Sequence, residues 1–369
     1  MLVVSLSLAL LALAFGTVGA REIPSLLDLG LLELFFVLIL AAECARLSRG
    51  LDLVVHRILF RVRSERALAL AAILLAGGLA ALVTNDVALL LLVPFTLAFE
   101  RAAPDFDPAK VVILEIAAAN LLGCLTPTGN PQNLFLFRAG AFTGRTFLAA
   151  QLPWVAGMGV ALVATIPLLI RRRSLVRPPR RRIRVHRTLS AMAGLLLAAQ
   201  LLSLFGVLPR MAPLAAAIPV CLYLGRRLFR VDFTLVAVFA ALFVGIEGLH
   251  RSALATALDP IRTFGAAPAG FVLSGALVSQ VVSNVPAALL LAPAAAAAGG
   301  GSLFTALLYG VNAGGCGTPI ASLANLIGAD LYLKGRAFRR RFWGPFLVVS
   351  GLLLAVAVLL SLFLVRPTP

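Results

Sequence analysis

Long apolar stretches separated by short polar connections run along most of the chain. A helix that crosses the bilayer's apolar core of about 30 Å needs about 20 residues at about 1.5 Å each. Five stretches reach this length, and two shorter ones can cross with help from neighbouring helices. They are residues 1–19, 26–45, 147–170, 188–206 and 342–365, with the shorter 211–225 and 231–248. The pattern predicts an all-α polytopic membrane protein.

Two further apolar segments are too long for one span and too short for two. Residues 67–99 are interrupted at 84–86 by Thr-Asn-Asp, and residues 266–298 are interrupted at 283–284 by Ser-Asn. Non-helical backbone at membrane depth is tolerated only where protein or a water-filled cavity surrounds it. Each segment is therefore predicted to form a re-entrant helical hairpin with its polar tip near the membrane midplane.

Residues 111–137 and 304–333 are each an apolar helix interrupted by a polar patch rich in Gly and Pro. Both patches read Asn-x-x-Gly-Cys-x-Thr-Pro-(x5)-Asn-Leu, starting at Asn120 and again at Asn312. Seven identities at a constant offset of 192 residues indicate an internal duplication. The hairpin tips also align, because Asn85 pairs with Asn284 at an offset of 199.

The duplication divides the chain into two repeats, each with one hairpin and one broken transmembrane helix. The first repeat covers residues 1–170 and the second covers 211–365, with a basic linker at 171–187 and a connecting helix at 188–206. The prediction is about nine spans plus two hairpins. Residues 1–19 could also be a secretory signal, but they lack a basic start, so we expect a retained helix.

Composition excludes the main alternatives to a membrane protein. Hydrophobic residues make up 61% of the chain and charged residues only 13%, which excludes a disordered protein and an ordinary soluble domain. The net charge of +17 could indicate nucleic-acid binding, but such a protein displays its charge on a polar face. We therefore expect a lipid bilayer and no nucleic acid among the partners.

The basic residues predict an orientation instead. With the amino terminus inside, 25 of the 32 Lys and Arg residues fall in inside connections and seven fall outside. This split obeys the positive-inside rule and places the carboxyl terminus outside. The first hairpin then enters from inside and the second from outside, so the repeats have inverted topology, as in secondary transporters. The inside connections are 46–66, 100–110, 171–187, 226–230 and 334–341.

The polar interruptions have the chemistry of an ion site. Thr126-Pro127 and Thr318-Pro319 are predicted to restart each broken helix, with Thr as N-cap and Pro at the first helical position. A half-helix N-terminus favours an anion, and freed carbonyls with side-chain amides suit a hard cation such as Na⁺. The candidate Na⁺ ligands are Asn85, Gly129, Asn284 and Thr318. The full candidate set is Thr84, Asn85, Asp86, Asn120, Thr126, Pro127, Gly129, Asn130, Asn133, Ser283, Asn284, Asn312, Gly315, Thr318, Pro319, Ser322 and Asn325.

Few acidic residues lie in the predicted membrane segments. Asp86 stands beside Asn85 at a hairpin tip, where it could carry a coupling proton or neutralise Na⁺, or simply cap a helix. Glu33 and Glu43 are expected to be structural or interfacial. Three further acids are expected near segment ends, in contact with water, namely Glu115, Glu247 and Asp330.

Other chemistry finds little support in the sequence. Neither lysine follows a Gly-rich loop, so no ATPase motif is evident, and no HExxH, His–Ser or Gly-x-Gly-Asp constellation indicates an intramembrane enzyme. Cys124 and Cys316 could bind a soft metal or arsenic, but Cys beside Gly is more often a small apolar residue where backbones approach closely. We expect no cofactor beyond a coupling ion, Na⁺ or H⁺.

Four motifs resemble the ion transporter superfamily, specifically its arsenite-permease and citrate-transporter-like branch, which is related to divalent anion:sodium symporters. The resemblance covers essentially the whole chain and implies a homodimer with elevator-like movement of a transport domain. In sodium-coupled dicarboxylate relatives, Ser-Asn-Thr tips bind Na⁺ and the substrate carboxylate. The third position differs here, so the resemblance carries over to Asn85 and Asn284 and leaves the substrate open. The motifs are Thr84-Asn-Asp-Val-Ala-Leu-Leu-Leu, Thr126-Pro-Thr-Gly-Asn-Pro-Gln-Asn-Leu, Ser283-Asn-Val-Pro-Ala and Gly317-Thr-Pro-Ile-Ala-Ser-Leu-Ala-Asn-Leu.

The leading hypothesis is a secondary active transporter in a bacterial inner membrane. Its cargo would be a small inorganic oxyanion or a di- or tricarboxylate, coupled to Na⁺ or H⁺. The alternatives are a Na⁺/H⁺ antiporter, an arsenite or antimonite efflux permease, and an ion channel. The sequence does not name the substrate, because amides, hydroxyls and helix ends accept many small ions.

Overall fold

The computed structural model describes residues 2–103, 105–176, 182–253, 267–334 and 340–365. Several predictions fall partly outside these ranges. The residues concerned are 1 in the first segment, 104 in the 100–110 connection, 177–181 in the linker, 254–266 in the second repeat, which include the first residue of the second hairpin, and 335–339 in the 334–341 connection. Within the described ranges the chain is helical, with one isolated β-bridge and no strand. The α-helices are α1 (Leu2–Ala14), α2 (Ile23–Leu26), α3 (Leu29–Ser48), α4 (Gly50–Leu59), α5 (Glu65–Val83), α6 (Asn85–Ala102), α7 (Ala109–Leu121), α8 (Pro131–Ala139), α9 (Gly144–Leu169), α10 (Arg187–Leu204), α11 (Ala212–Leu224), α12 (Thr234–Arg251), α13 (Pro268–Val282), α14 (Asn284–Ala297), α15 (Ser302–Ala313), α16 (Leu323–Leu333) and α17 (Arg340–Leu364).

Side-chain caps mark the start of several helices. The Ser64 hydroxyl accepts a hydrogen bond from the Ala67 amide at the start of α5, and Asp28 accepts one from Leu31 at the start of α3. Thr143 and Thr146 form a reciprocal capping box at the start of α9. These caps satisfy amide groups that would otherwise lack a partner at a helix N-terminus.

Six of the described helical segments are long and apolar enough to cross a membrane. The count rises to seven if Ala20–Leu26 and Leu29–Ser48, which are bent by 66° relative to each other, form one span. A multi-pass all-α membrane protein is therefore confirmed. The exact figure of nine spans, the re-entrance of the hairpins and the inverted relation of the repeats stay predictions. The six segments are Glu65–Val83, Gly144–Leu169, Arg187–Leu204, Ala212–Arg230, Thr234–Arg251 and Phe342–Leu364.

The first helix is shorter than the sequence pattern predicts. An apolar run of 19 residues was expected to be helical throughout, but α1 has 13 residues and ends at Ala14. The Thr17 side chain folds back and donates a hydrogen bond to the Ala12 carbonyl at 3.0 Å, which closes the helix end. The helix packs along α12.

The interior divides into several apolar clusters built from different helices. The largest joins α4–α7 and α9 of the first half to α15, α16 and α17 of the second. Another joins α13, α14 and α15 to α8 and the start of α9, and a third joins α3, α10 and α11. Because the two larger clusters mix both halves, the broken helices α7–α8 and α15–α16 meet inside the molecule.

The long helices α9, α10, α11 and α17 turn large apolar side chains outward. Val160 and Leu168 on α9 are 72% and 83% exposed, and Leu352 and Leu359 on α17 are 65% and 67% exposed. On a soluble protein such a surface would be a liability. In a membrane protein it is the surface that contacts lipid tails.

Candidate functional site

The hairpin tips are single residues with unusual backbone. Thr84 separates α5 from α6 with a φ of 104°, and Ser283 separates α13 from α14 with a φ of 76°. A positive φ is rare for residues other than glycine and is least favourable for a β-branched residue such as Thr84. Strain of this kind persists where the surrounding structure enforces it, and it clusters at functional sites.

Each broken helix contains the expected interruption, but it restarts later than predicted. Pro127–Gly129 and Pro319–Ala321 form short 3-10 turns. The α-helices begin only after these turns, at Pro131 and Leu323. Thr126 and Thr318 are the extended N-cap residues and Pro127 and Pro319 start each restart, as predicted, but what they start is a 3-10 turn and not yet the α-helix. The extended N-cap residues of the α-helices are Asn130 and Ser322.

The threonines attach each break to the neighbouring hairpin. The Thr126 hydroxyl donates to the Ala81 carbonyl on α5. The Thr318 hydroxyl donates to the Gln280 carbonyl on α13 at 3.0 Å. Ala81 and Gln280 differ by 199 residues, which is the offset of the hairpin tips, so the same bond occurs at matched positions in both repeats.

A second matched pair holds the break from its other side. Asn133 donates through Nδ2 to the carbonyls of Cys124 and Thr126, at 3.2 and 3.4 Å. Asn325 donates to the carbonyls of Gly315 and Thr318, at 3.0 Å each. Both asparagines thus satisfy carbonyl groups that the helix break sets free.

The side chain of Asn120 joins the two repeats. Its Oδ1 accepts hydrogen bonds from Asn85 at 3.2 Å and from Ser322 at 2.9 Å. Its Nδ2 donates to Asn325 Oδ1 at 2.7 Å. Asn120 is 2% exposed, so these three bonds form in a dry interior, where a hydrogen bond counts for more than in water.

The matching Asn312 is only half satisfied. Its Oδ1 accepts a hydrogen bond from Gln132 Nε2 at 3.2 Å, but its Nδ2 has no partner. By the symmetry of the repeats, the counterpart of the Asn120–Asn325 bond would join Asn312 Nδ2 to Asn133 Oδ1. Asn133 Oδ1 also lacks a partner, as does Asn130 Oδ1. Buried polar atoms are rarely left unpaired, so these three atoms are candidate contacts for a ligand or water.

Asn284 lies at the same place. A Cβ atom built on Gly315 would lie 3.3 Å from Asn284 Nδ2 and 3.9 Å from the Asn120 Cβ. The second hairpin tip therefore approaches the second break closely, beside Asn120. We call the buried polar residues assembled here the amide cluster. Its members are Asn85, Asn120, Asn130, Gln132, Asn133, Asn284, Asn312, Ser322 and Asn325.

The structure brings most of the predicted set together and places the rest around it. Gly129 packs tightly against the first break, because a Cβ there would lie 1.8 Å from the Gly123 carbonyl oxygen. Ser283 donates weakly to Asn284 and to the Ala321 carbonyl, at 3.4 Å each. Asp86, in the first turn of α6, donates its backbone amide to Asn85 Oδ1 at 3.0 Å, while its own Oδ1 is buried and has no partner.

Two glutamines of this region were missed by the sequence argument. Gln280 donates to the Gly314 and Cys316 carbonyls at 2.9 and 3.0 Å, and its Oε1 accepts from the Thr318 amide at 2.9 Å. Gln132 bonds Asn312 across the repeats. A signal was present, because a glutamine inside a predicted membrane segment is unusual, but neither residue is repeated in the other half.

One expectation about the acidic residues is wrong. Glu115 was expected near a segment end in contact with water, yet it is 0% exposed within α7. The helix begins six residues earlier than Glu115 and is covered on all sides by α5, α6 and α16. Glu247 pairs with Arg251 at 2.6 Å, and Asp330 is exposed, as expected.

The chemistry of the amide cluster is neutral and mixed. Its side chains offer both carbonyl oxygens and N–H groups, and the adjoining helix ends add partial charges of both signs. Among the described residues, no lysine or arginine is hydrogen-bonded to it. Such a site can bind a small anion, a hard cation or both together, and it holds no nucleophile positioned beside a base.

Comparison with known proteins identifies relatives of this chain among transporters and membrane proteins. A family model described as citrate transporter matches residues 1–306. An uncharacterized transporter of Methanocaldococcus jannaschii is 28% identical over 351 residues, covering 94% of this chain and 92% of the relative. The inner membrane protein YbiR of Escherichia coli is 29% identical over 366 residues, covering 96% and 92%. The silicon efflux transporter LSI3 of Oryza sativa is 31% identical over 158 residues, covering 42% of this chain and 32% of the relative.

Proposed function

The chain belongs to the citrate transporter family, and from this premise we propose that it is a secondary active transporter of a small anion. The family confirms the resemblance seen in the motifs, and it makes the protein a transporter and not an enzyme. The proposed cargo is an inorganic oxyanion or a di- or tricarboxylate. The proposed coupling ion is Na⁺ or H⁺.

The observation that supports this proposal is the set of unpaired atoms in the amide cluster. Asn312 Nδ2 is a free donor, while Asn130 Oδ1 and Asn133 Oδ1 are free acceptors. All three residues are at most 1% exposed. Each unpaired buried polar group costs about 1–3 kcal/mol, a cost that a bound ion can offset. A donor for an anion beside acceptors for a cation suits a site that binds both.

In Na⁺ coupling, residues of the hairpin tips and of the helix breaks would bind the ion together. We propose Asn85, Gly129, Asn284 and Thr318 as its ligands, through amide, carbonyl and hydroxyl oxygens. The neutral cluster makes a bound cation useful, since it would supply the positive charge that the side chains do not.

A second candidate is efflux of a small uncharged or weakly acidic hydroxide of a metalloid. The neutral site favours it, and one partial relative is a silicon efflux transporter. It includes the arsenite or antimonite permease considered from the sequence. A Na⁺/H⁺ antiporter remains a third reading of the same site.

The setting of the transporter is a further part of the proposal. The protein is a multi-pass membrane protein, and one relative is an inner membrane protein of a bacterium. We place it in the bacterial inner membrane with its amino terminus inside, as a homodimer that needs no ATPase subunit.

Binding can be tested first and transport second. Purified protein is heated with citrate, succinate, arsenite or silicate, each with and without Na⁺. A ligand that binds only the folded state raises the unfolding temperature. Vesicles containing the protein should then accumulate the labelled ligand only under a Na⁺ or pH gradient, and Asn284→Ala should abolish accumulation. Uptake that ignores both gradients would contradict secondary transport, and single-channel currents would indicate a channel.

A further inference from the structure

A buried carboxyl group lies outside the amide cluster and has no role in the site described above. Glu115 on α7 is 0% exposed, and its Oε1 accepts a hydrogen bond from the Thr96 hydroxyl on α6. Its Oε2 is also buried and has no partner. Five residues separate Glu115 from Asn120 on the same helix, which places their Cα atoms about 7.5 Å apart along the axis.

The surroundings of Glu115 are apolar on every side. Its neighbours Leu114 and Ile116 are buried, and the cluster that encloses them contains residues of α5, α6, α9, α16 and α17. In the described part of the chain, Glu115 forms no ion pair, and no charged side chain acts on its carboxyl. On α7 and on the elements around it, the titratable groups whose side chains the structure describes are Glu65, Arg66, Asp86, Glu100, Lys110, Cys124, Arg145, Tyr309, Asp330 and Tyr332.

A lone carboxylate in such a place would be very costly. Burying an ionised carboxylate without a counter-charge costs far more than burying the neutral acid. Thr96 supplies one hydrogen bond, which does not replace the hydration of a full charge. The carboxyl is therefore protonated in the described conformation, with Oε2 available for the proton.

A purely structural role explains Glu115 poorly. A structural hydrogen bond to Thr96 could be made by a glutamine without any cost of ionisation, and an apolar residue would fill the same space. Ionisable residues inside membrane proteins commonly mark proton or ion pathways. The position between the 103–108 connection and the helix break suits this role, because α7 carries both Glu115 and the central Asn120.

We propose that Glu115 is the proton-binding residue through which transport responds to a pH gradient. The proposal rests on the proposed transporter function and selects H⁺ as a coupling ion. One proton from water on one side binds the Glu115 carboxylate and forms the neutral acid enclosed by α6 and α7. When the transport cycle exposes the carboxyl to the other side, the same proton leaves to water. Thr96 is a positioning residue that orients the carboxyl.

Infrared difference spectroscopy tests proton binding without any substrate. The wild-type protein in lipid nanodiscs should show a carboxylic-acid carbonyl band that disappears at high pH. Glu115→Gln should remove this band, and Asp330→Asn, which alters an exposed carboxyl on α16, should keep it. Thr96→Val should move the pH at which the band disappears, because the Thr96 hydroxyl donates a hydrogen bond to the Glu115 carboxyl. A wild-type spectrum without a band that depends on Glu115 would overturn the proposal.

Transport of labelled citrate tests the coupling. Wild-type vesicles and Asp330→Asn vesicles should accumulate citrate under a pH gradient. Glu115→Gln should accumulate no more than without a gradient, while keeping measurable exchange of labelled for unlabelled citrate, because exchange moves no net proton. Gradient-driven accumulation by Glu115→Gln would overturn the proposal. If wild-type vesicles take up no citrate under any gradient, citrate transport fails as a function, and the infrared result alone decides the role of Glu115.

Discussion

The two helix breaks share a frame but differ in how their polar groups are satisfied. In both, the threonine of the Thr-Pro pair donates its hydroxyl to a backbone carbonyl of the neighbouring hairpin. In both, an asparagine side chain donates to backbone carbonyls of the break. Only the second hairpin has a glutamine that bonds its break, Gln280 on α13, where the first hairpin has Ala81. Only the first break has a fully bonded central asparagine, Asn120, where the second has the half-bonded Asn312.

This difference distinguishes, within one duplicated motif, the hydrogen bonds that hold the fold from those that serve the site. The bonds that occur twice are those that any broken helix needs, because freed backbone groups must find partners. The bonds that occur once show specialisation. Asn120 ties the repeats together, and Asn312 leaves a donor open opposite two open acceptors. We infer that Asn120 mainly supports the site and that the unpaired atoms of Asn312, Asn130 and Asn133 receive the ion.

The largest effect should separate the two central asparagines. Asn120→Ala removes three side-chain hydrogen bonds and should lower the free energy of unfolding by about 3 kcal/mol. Asn312→Ala removes one and should cost about 1 kcal/mol. Thermal unfolding of both variants in nanodiscs measures the difference. Equal losses would remove the distinction between a supporting and a binding asparagine.

A substitution that disturbs packing should also cost more free energy of unfolding at the first break than at the second. Gly129→Ala places a Cβ 1.8 Å from the Gly123 carbonyl oxygen, so the backbone must shift, at a cost of about 2 kcal/mol. The matched position in the second repeat already holds Ala321, and Ala321→Gly should cost less than about 1 kcal/mol. The unfolding temperatures of the two variants measure this difference. A Gly129→Ala variant with an unchanged unfolding temperature would show that the first break is not tightly packed.

Gln280, which has no counterpart on the first hairpin, should be structural. Gln280→Ala leaves two carbonyls and the Thr318 amide without their side-chain partner and should destabilise the protein by about 2 kcal/mol. Gln151 is a matched control, because it is buried with both side-chain polar atoms unpaired. Gln151→Met should be neutral or stabilising in the same unfolding assay. A larger loss of stability in Gln151→Met than in Gln280→Ala would contradict the view that the Gln280 hydrogen bonds hold the second break.

The smallest effect concerns the hairpin tips. Thr84→Gly should relieve a strained backbone and raise the free energy of unfolding by up to about 1 kcal/mol. Ser283→Gly should gain less, because serine is not β-branched and its φ is 28° lower than that of Thr84. A loss of stability in Thr84→Gly would mean that its side chain contributes more than its strain costs.

The sequence predicted the polar patches and their pairing well, because identical spacing in two places needs no knowledge of packing. It placed the α-helix restarts too early, since a 3-10 turn after Thr-Pro has the same local signature as a helix start. It also missed Gln280 and the depth of Glu115. Both depend on which helices surround a residue, and neither position repeats between the halves.

The central claim is that ions bind at the unpaired atoms of the amide cluster. Asn312→Ala and Gln200→Ala each remove one buried amide hydrogen bond, but Gln200 lies on α10 and bonds the Leu34 carbonyl, outside the cluster. Gradient-driven uptake of labelled citrate, or of silicate if only silicate binds, should be lost in Asn312→Ala and kept in Gln200→Ala, with similar unfolding temperatures. Uptake by Asn312→Ala at the level of Gln200→Ala would contradict the claim.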